Sequence, residues 1–238
     1  MHRITVSGVE VDVVRKDIKN LHLGVYPPGG RVRVAAPLHV DDEVVRLAVI
    51  ERLPWIRRQQ NRFLAQERQS PRDYIYRETH YYLGKRYLLN VIEHDGPPRV
   101  EVRNKARIDL YVPEGSDERR REEVMRRWYR KELKALIPPL IAKWEEVIGV
   151  TVNEWGVRRM KTRWGTCTIE ARRIWLNLEL VKKPVQCLEY VIVHELVHLL
   201  ERNHTDRFRE LMDQFMPQWR CYRDMLNQAP LSHETWRY

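Results

Sequence analysis

A chain of 238 residues with 43% hydrophobic and 32% charged residues can bury a proper core as one large or two small domains, and no apolar run approaches the roughly 20 residues a membrane-crossing helix needs. The formal net charge of +10 favours anionic partners. Three cysteines, Cys167, Cys187 and Cys221, with no C-x-x-C pair, exclude a disulfide scaffold and a structural zinc ribbon. The N-terminus, Met1 to Gly8, passes straight into a strand-like alternation without the apolar core of a secretion signal, so a cytoplasmic protein with no membrane contact is expected.

Alternating runs around Val11 and Val13, then Leu21, Leu23 and Val25, turned by Pro27-Pro28-Gly29-Gly30 into Val32 and Val34, predict a hairpin or small meander. A helix comes next, from the Asp41-Asp42 cap region through Val44, Val45, Leu47 and Ala48, with Leu53-Pro54-Trp55-Ile56 interrupting or restarting it toward Leu64. Tyr81 to Leu83, Arg86 to Leu89, Arg99 to Val102 and Ile108 to Val112 are further strand candidates. The expected class is α+β, with a small α+β module over 1–115 and a compact second domain over 116–238. No internal repeat is visible.

From Ser116-Asp117 a long helical stretch runs through Val124, Trp128, Leu133 and Leu136 to Pro138-Pro139, which must kink or divide it, and resumes through Ile141, Trp144 and Val147 before Gly149. Strands are expected at Val150 to Val152, Val157 to Met160 and Ile174 to Leu178. The last either offers a free edge to an extended peptide or lies inside a sheet, and its pattern favours neither.

The segment Val193-His194-Glu195-Leu196-Val197-His198 carries the chemistry. A helix turns about 100° per residue, so His194 and His198 stand one above the other and can grip one metal ion, with Glu195 beside them where a carboxylate can reach a metal-bound water. Apolar residues surround them in sequence, and burying two imidazoles and a carboxylate without partners costs several kcal/mol, so a Zn2+ site is expected. His204 is the third candidate ligand. It can reach the ion only if the chain turns back, a turn that Asn203 in the left-handed conformation would make, with Thr205 capping a new helix through Phe208, Leu211, Met212 and Phe215. Glu201 or Glu210 would be the ligand if His204 were not. The His198-to-His204 spacing fits a metzincin, but Glu201 stands at the glycine position of that pattern and Met212 and Met216 fall in the expected helix. Cys187 lies too far along the helix to share the ion, and Cys167 is expected to be a small packing residue.

Arg163-Trp164-Gly165-Thr166-Cys167, Ile174-Trp175-Leu176-Asn177, Tyr190 through Leu199 and Asn203-His204-Thr205-Asp206-Arg207-Phe208, with Gly30 to Pro37 and Trp55-Ile56 upstream, closely resemble the bacterial YgjP-like metallopeptidase family. That family is similar in its catalytic part to SprT-type proteins and to the Spartan-type proteases that act on DNA–protein crosslinks. The resemblance implies His194, His198 and His204 as zinc ligands and Glu195 as the catalytic carboxylate, in a zinc endopeptidase acting on a protein or peptide substrate. Tyr222, Arg163 and Arg207 are conceivable donors to a developing oxyanion, and spacing does not choose among them.

Arginines and lysines from Arg119 to Lys134, with Arg57, Arg58, Arg62 and Arg68 interleaved with Trp55 and Phe63, could follow a phosphate backbone. DNA or another nucleic acid is therefore a possible partner. The function class competing with the peptidase is a nucleic-acid-binding or scaffold protein with a zincin fold and little activity of its own.

Overall fold

The computed structural model describes residues 1–26, 29–65, 73–104, 106–160 and 163–228. The expected turn residues Pro27 and Pro28, Arg68, and the side chain of Arg62 lie outside the described residues. The chain forms two compact units, Met1–Arg68 and Gln69–Tyr238.

The first unit contains strands β1 (His2–Val6), β2 (Val9–Lys16), β3 (His22–Tyr26) and β4 (Arg31–Pro37), then helices α1 (Asp42–Glu51) and α2 (Leu53–Ala65). The sheet order is β1-β2-β4-β3, with β2 and β4 parallel and both outer pairs antiparallel. Val11, Val13, Val32 and Val34 are fully buried and share a core with Val45, Val49 and Ile56. This is the alternation expected of strands with one face covered by helices. The Asp41 carboxylate accepts the Val44 N–H at 2.9 Å and starts α1. Pro54 sits in the first turn of α2, where its missing N–H costs nothing.

The second unit opens by repeating that plan. Strands β5 (Thr79–Tyr82), β6 (Lys85–Glu93), β7 (Arg99–Arg103) and β8 (Arg107–Val112) form a sheet in the order β5-β6-β8-β7, again with a central parallel pair and antiparallel outer pairs. Each first hairpin closes with two residues at positive φ, Ser7 and Gly8 (48° and 79°) and Leu83 and Gly84 (48° and 79°), as a type I′ turn requires. Each sheet buries one aspartate among arginines, Asp12 with Arg3 and Arg31, Asp109 with Arg103 and Arg107. Pro37 and Pro113 each precede by four residues the aspartate, Asp41 or Asp117, that caps the next helix. No repeat of residues accompanies the shared plan. The copies share topology and turn chemistry rather than residue identity.

The expected division near Gly115 does not match the packing. Leu89, Ile108, Leu110 and Val112 share one core with Val124, Met125, Leu133 and Ile137 of α3 (Glu118–Ile148), so the second sheet packs as part of the same unit as α3. Helix α3 is one helix across Pro138 and Pro139, not two. Both prolines are exposed, as are Lys134 and Ala135, whose carbonyls lose their helical partners and can be hydrated, while Leu133, Ile137, Ile141 and Trp144 hold the opposite face. Gly149 ends the helix at φ 76°, its N–H donating to the Glu145 carbonyl at 2.9 Å.

Val150 to Val152 form no strand, because the N–H groups of Val150 and Val152 donate to the carbonyl and the carboxylate of Glu145. The third sheet consists of β9 (Glu154–Arg158), β10 (Gly165–Thr168) and β11 (Arg173–Asn177) in the order β10-β11-β9. The expected strand at Ile174 is therefore interior. The strand at the sheet edge beside it is β10, which a four-residue span without alternation did not predict. A 3-10 helix, Leu178–Lys182, leads into α4 (Val185–Val197), and α5 (Asp206–Phe215) and α6 (Trp219–Gln228) complete the described chain. Helix α4 is buried over most of its surface, from Cys187 and Leu188 through Val197. Among the described residues no helix is long and apolar enough to cross a membrane.

Candidate metal centre

His194 lies in the last turn of α4 and His198 caps its end. The chain then turns back, but Asn203 is not among the residues with positive φ. Instead the Asn203 N–H donates to the Glu201 carboxylate at 3.1 Å, and Thr205 caps α5 by accepting the Phe208 N–H at 3.3 Å. This returns His204 to α4, where its Nε2 stands 3.0 Å from Nε2 of His194. One ring nitrogen from each of His194, His198 and His204 lies within 4.8 Å of the others, and this trio excludes Glu201 and Glu210. Phe208, 2% exposed, packs under all three, with its ring centroid 5.0, 4.7 and 4.8 Å from those of His194, His198 and His204. Phe208 was legible only as a core position of α5.

The donor set fits a divalent ion. Nitrogens about 2.0–2.1 Å from one tetrahedral zinc stand about 3.3 Å apart, close to the observed His194–His204 separation. Burial, reinforced by the neighbouring His198 and His204, pushes the His194 imidazole down to about 3, so its lone pair stays free at neutral pH. His198 Nδ1 lies 3.2 Å from the Glu201 carbonyl, a bond that leaves Nε2 as the free ring nitrogen when Nδ1 carries the proton.

Glu195 is 5% exposed. Burial pushes its carboxyl up to about 8, against an opposing pull from the Arg163 cation. A methyl group at position 165 would lie 2.5 Å from Glu195 Oε1 and 2.8 Å from both Glu195 Cγ and Val191 Cγ1, so glycine lets the strand approach Glu195 without displacing it. Glu195 thus sits at the wall formed by the start of β10. A cleft of about 790 Å³ opens over it, lined by β10, by Arg163 and Trp164, by Tyr190 and by the three histidines. Cys167 lines this cleft while packing against the core, as a small packing residue is expected to, and burial, with Glu195 and Glu170 nearby, pushes its thiol up to about 11, away from a reactive thiolate. Of the three conceivable oxyanion donors only Arg163 lines the cleft, whereas the Tyr222 hydroxyl donates to Gln218 at 2.9 Å.

The YgjP-like family, described as a metallopeptidase domain, matches residues 19–229. The chain belongs to the YgjP-like family. The match makes it a metallopeptidase domain, a class of hydrolase that works with a metal ion. The YgjP-like chain is similar to the metallopeptidase zymogen abylysin of Pyrococcus abyssi, at 17% identity and a TM-score of 0.35, over 37% of this chain and 89% of that one. It is similar to the metallopeptidase zymogen jannalysin of Methanocaldococcus jannaschii at 19% identity and a TM-score of 0.32, over 37% and 88%. No curated protein matches the chain.

On α3 of this YgjP-like chain, Arg119, Arg126, Arg127, Lys131 and Lys134 are exposed. Trp128 packs against the core, with Tyr82 and Tyr129 at 4.9 and 4.8 Å between ring centroids.

Proposed function

We propose that this chain is a zinc-dependent endopeptidase in which His194, His198 and His204 hold the ion and Glu195 moves the proton. The observation that carries the reading is the convergence of three imidazoles, one of them held neutral by burial, beside a buried carboxylate in an open cleft. A purely structural zinc site is normally closed by four protein ligands and has no use for such a carboxylate.

When bound, zinc would supply Lewis acidity, making a water acidic and polarising the scissile carbonyl. Glu195 accepts the proton of the attacking water on a carboxylate oxygen and passes it to the departing amine. Its burial beside the cleft keeps that proton from exchanging with bulk water between the two steps. The Arg163 cation at the cleft wall is placed to favour negative charge growing on the carbonyl oxygen. A polypeptide substrate would lie extended along the outer edge of β10, pairing through its backbone, so that recognition tolerates many side chains.

His204→Ala tests the ligand set, because it leaves α4 intact. Elemental analysis after dialysis against a weak chelator is expected to find wild type zinc-loaded and the variant nearly empty, with affinity reduced more than about 100-fold, beyond the usual loss from a supporting group. Equal zinc content in both proteins would move the third ligand elsewhere.

A further inference from the structure

Asn177 ends β11 behind the cleft wall and is 4% exposed. Its Oδ1 accepts the N–H groups of Glu179 at 3.2 Å and Met160 at 3.4 Å, and its Nδ2 donates to the carbonyls of Met160 and Arg163, both at 2.8 Å. A carboxamide has two donor hydrogens and two acceptor lone pairs, so its capacity is filled. Its backbone N–H also donates to the Trp164 carbonyl at 2.9 Å.

The two sides of the carboxamide do different work. The acceptor caps the 3-10 helix at Leu178, a task that serine or aspartate performs as well, and takes the Met160 N–H in a longer bond. The two donor bonds hold the chain at Met160 and at Arg163, and so fix where it enters Trp164-Gly165. Gly165 begins β10 and touches Glu195 closely enough to forbid a side chain. Any slip at Arg163 is therefore transmitted to the strand edge and to the carboxylate together.

We propose that Asn177 is a positioning residue of the cleft, whose two amide donor bonds set the β10 edge relative to Glu195 and thereby the seat of an extended substrate backbone. The proposal rests on the peptidase reading with β10 as the substrate edge. Asn177 touches no substrate and acts only through the segment it clamps.

Asn177→Ser keeps a capping oxygen and replaces the two amide donors with one hydroxyl, whose single hydrogen cannot hold both carbonyls. Asn177→Asp keeps the cap, is acceptor-only when ionised, and is the second variant should serine not fold. Leu133→Ala, a core truncation in α3, controls for lost stability alone. Each protein, zinc counted and assayed well below its melting temperature, is given a series of peptides lengthened one residue at a time. In wild type each added backbone hydrogen bond is expected to raise kcat/KM by about 2- to 10-fold. The Asn177 variants are expected to keep their zinc and lose that gain, with kcat on the longest peptide down about 10-fold or more, while Leu133→Ala retains the gain. An undiminished gain in folded, zinc-loaded Asn177→Ser overturns the proposal. A wild type that cleaves without any gain overturns the substrate-edge reading beneath it, and a wild type that cleaves nothing overturns the peptidase reading itself.

Discussion

Glu195→Gln is expected to retain its zinc and lose about 10²–10⁴-fold in kcat, the usual contribution of a positioned acid–base group. Glutamine matches the shape of glutamate but cannot accept the proton of the attacking water. The ligands are on other residues, so elemental analysis should find wild-type zinc. Glutamine fills the same buried space as glutamate, so the variant should melt close to the wild-type temperature. Loss of activity with stability preserved separates a chemical role from a structural one. Wild-type turnover by a zinc-loaded Glu195→Gln protein would remove Glu195 from the mechanism.

Gly165→Ala should be nearly as damaging, although it adds only one methyl group. That methyl would fall 2.5 Å from Glu195 Oε1 and 2.8 Å from Val191 Cγ1, and neither can easily retreat, since Val191 and Glu195 are both buried on α4. Overpacking of this kind costs about 1–3 kcal/mol, and displacing a reacting group by about 1 Å costs about 100-fold in rate. The expected result is a melting temperature lowered by several degrees, full zinc content and kcat reduced about 100-fold. The φ of Gly165 is not positive, so the effect is steric and should grow in Gly165→Val. A fully active Gly165→Ala enzyme would mean that the base does not work from this position.

What could be read in the sequence was what local periodicity encodes. Helical spacing placed His194 above His198, and the serine/threonine/aspartate capping rule started α1, α3 and α5 at Asp41, Asp117 and Thr205. The return of His204 was expected for a partly wrong reason, since the Glu201 carboxylate rather than a left-handed Asn203 makes the turn. Longer-range features were hidden. Nothing local announces that Asn177 binds carbonyls 14 and 17 residues away, or that Gly165 faces a carboxylate on another element. The proline pair in α3 does not divide the helix, and the residues whose carbonyls lose their partners, Lys134 and Ala135, are exposed. The duplicated sheet escaped notice because its two copies keep turn positions and strand order while their residues differ.

The most direct measurement is metal removal and return. The protein is stripped with a chelator, then titrated with zinc while cleavage of a reduced, unfolded protein is tracked by the masses of its fragments. The site described predicts no fragments from the stripped protein and full cleavage once zinc matches the protein in amount, because among the described residues one cluster of imidazoles, His194, His198 and His204, converges on one point. Cleavage that persists unchanged in the stripped protein would contradict it, as would a fully zinc-loaded protein that leaves the unfolded substrate intact.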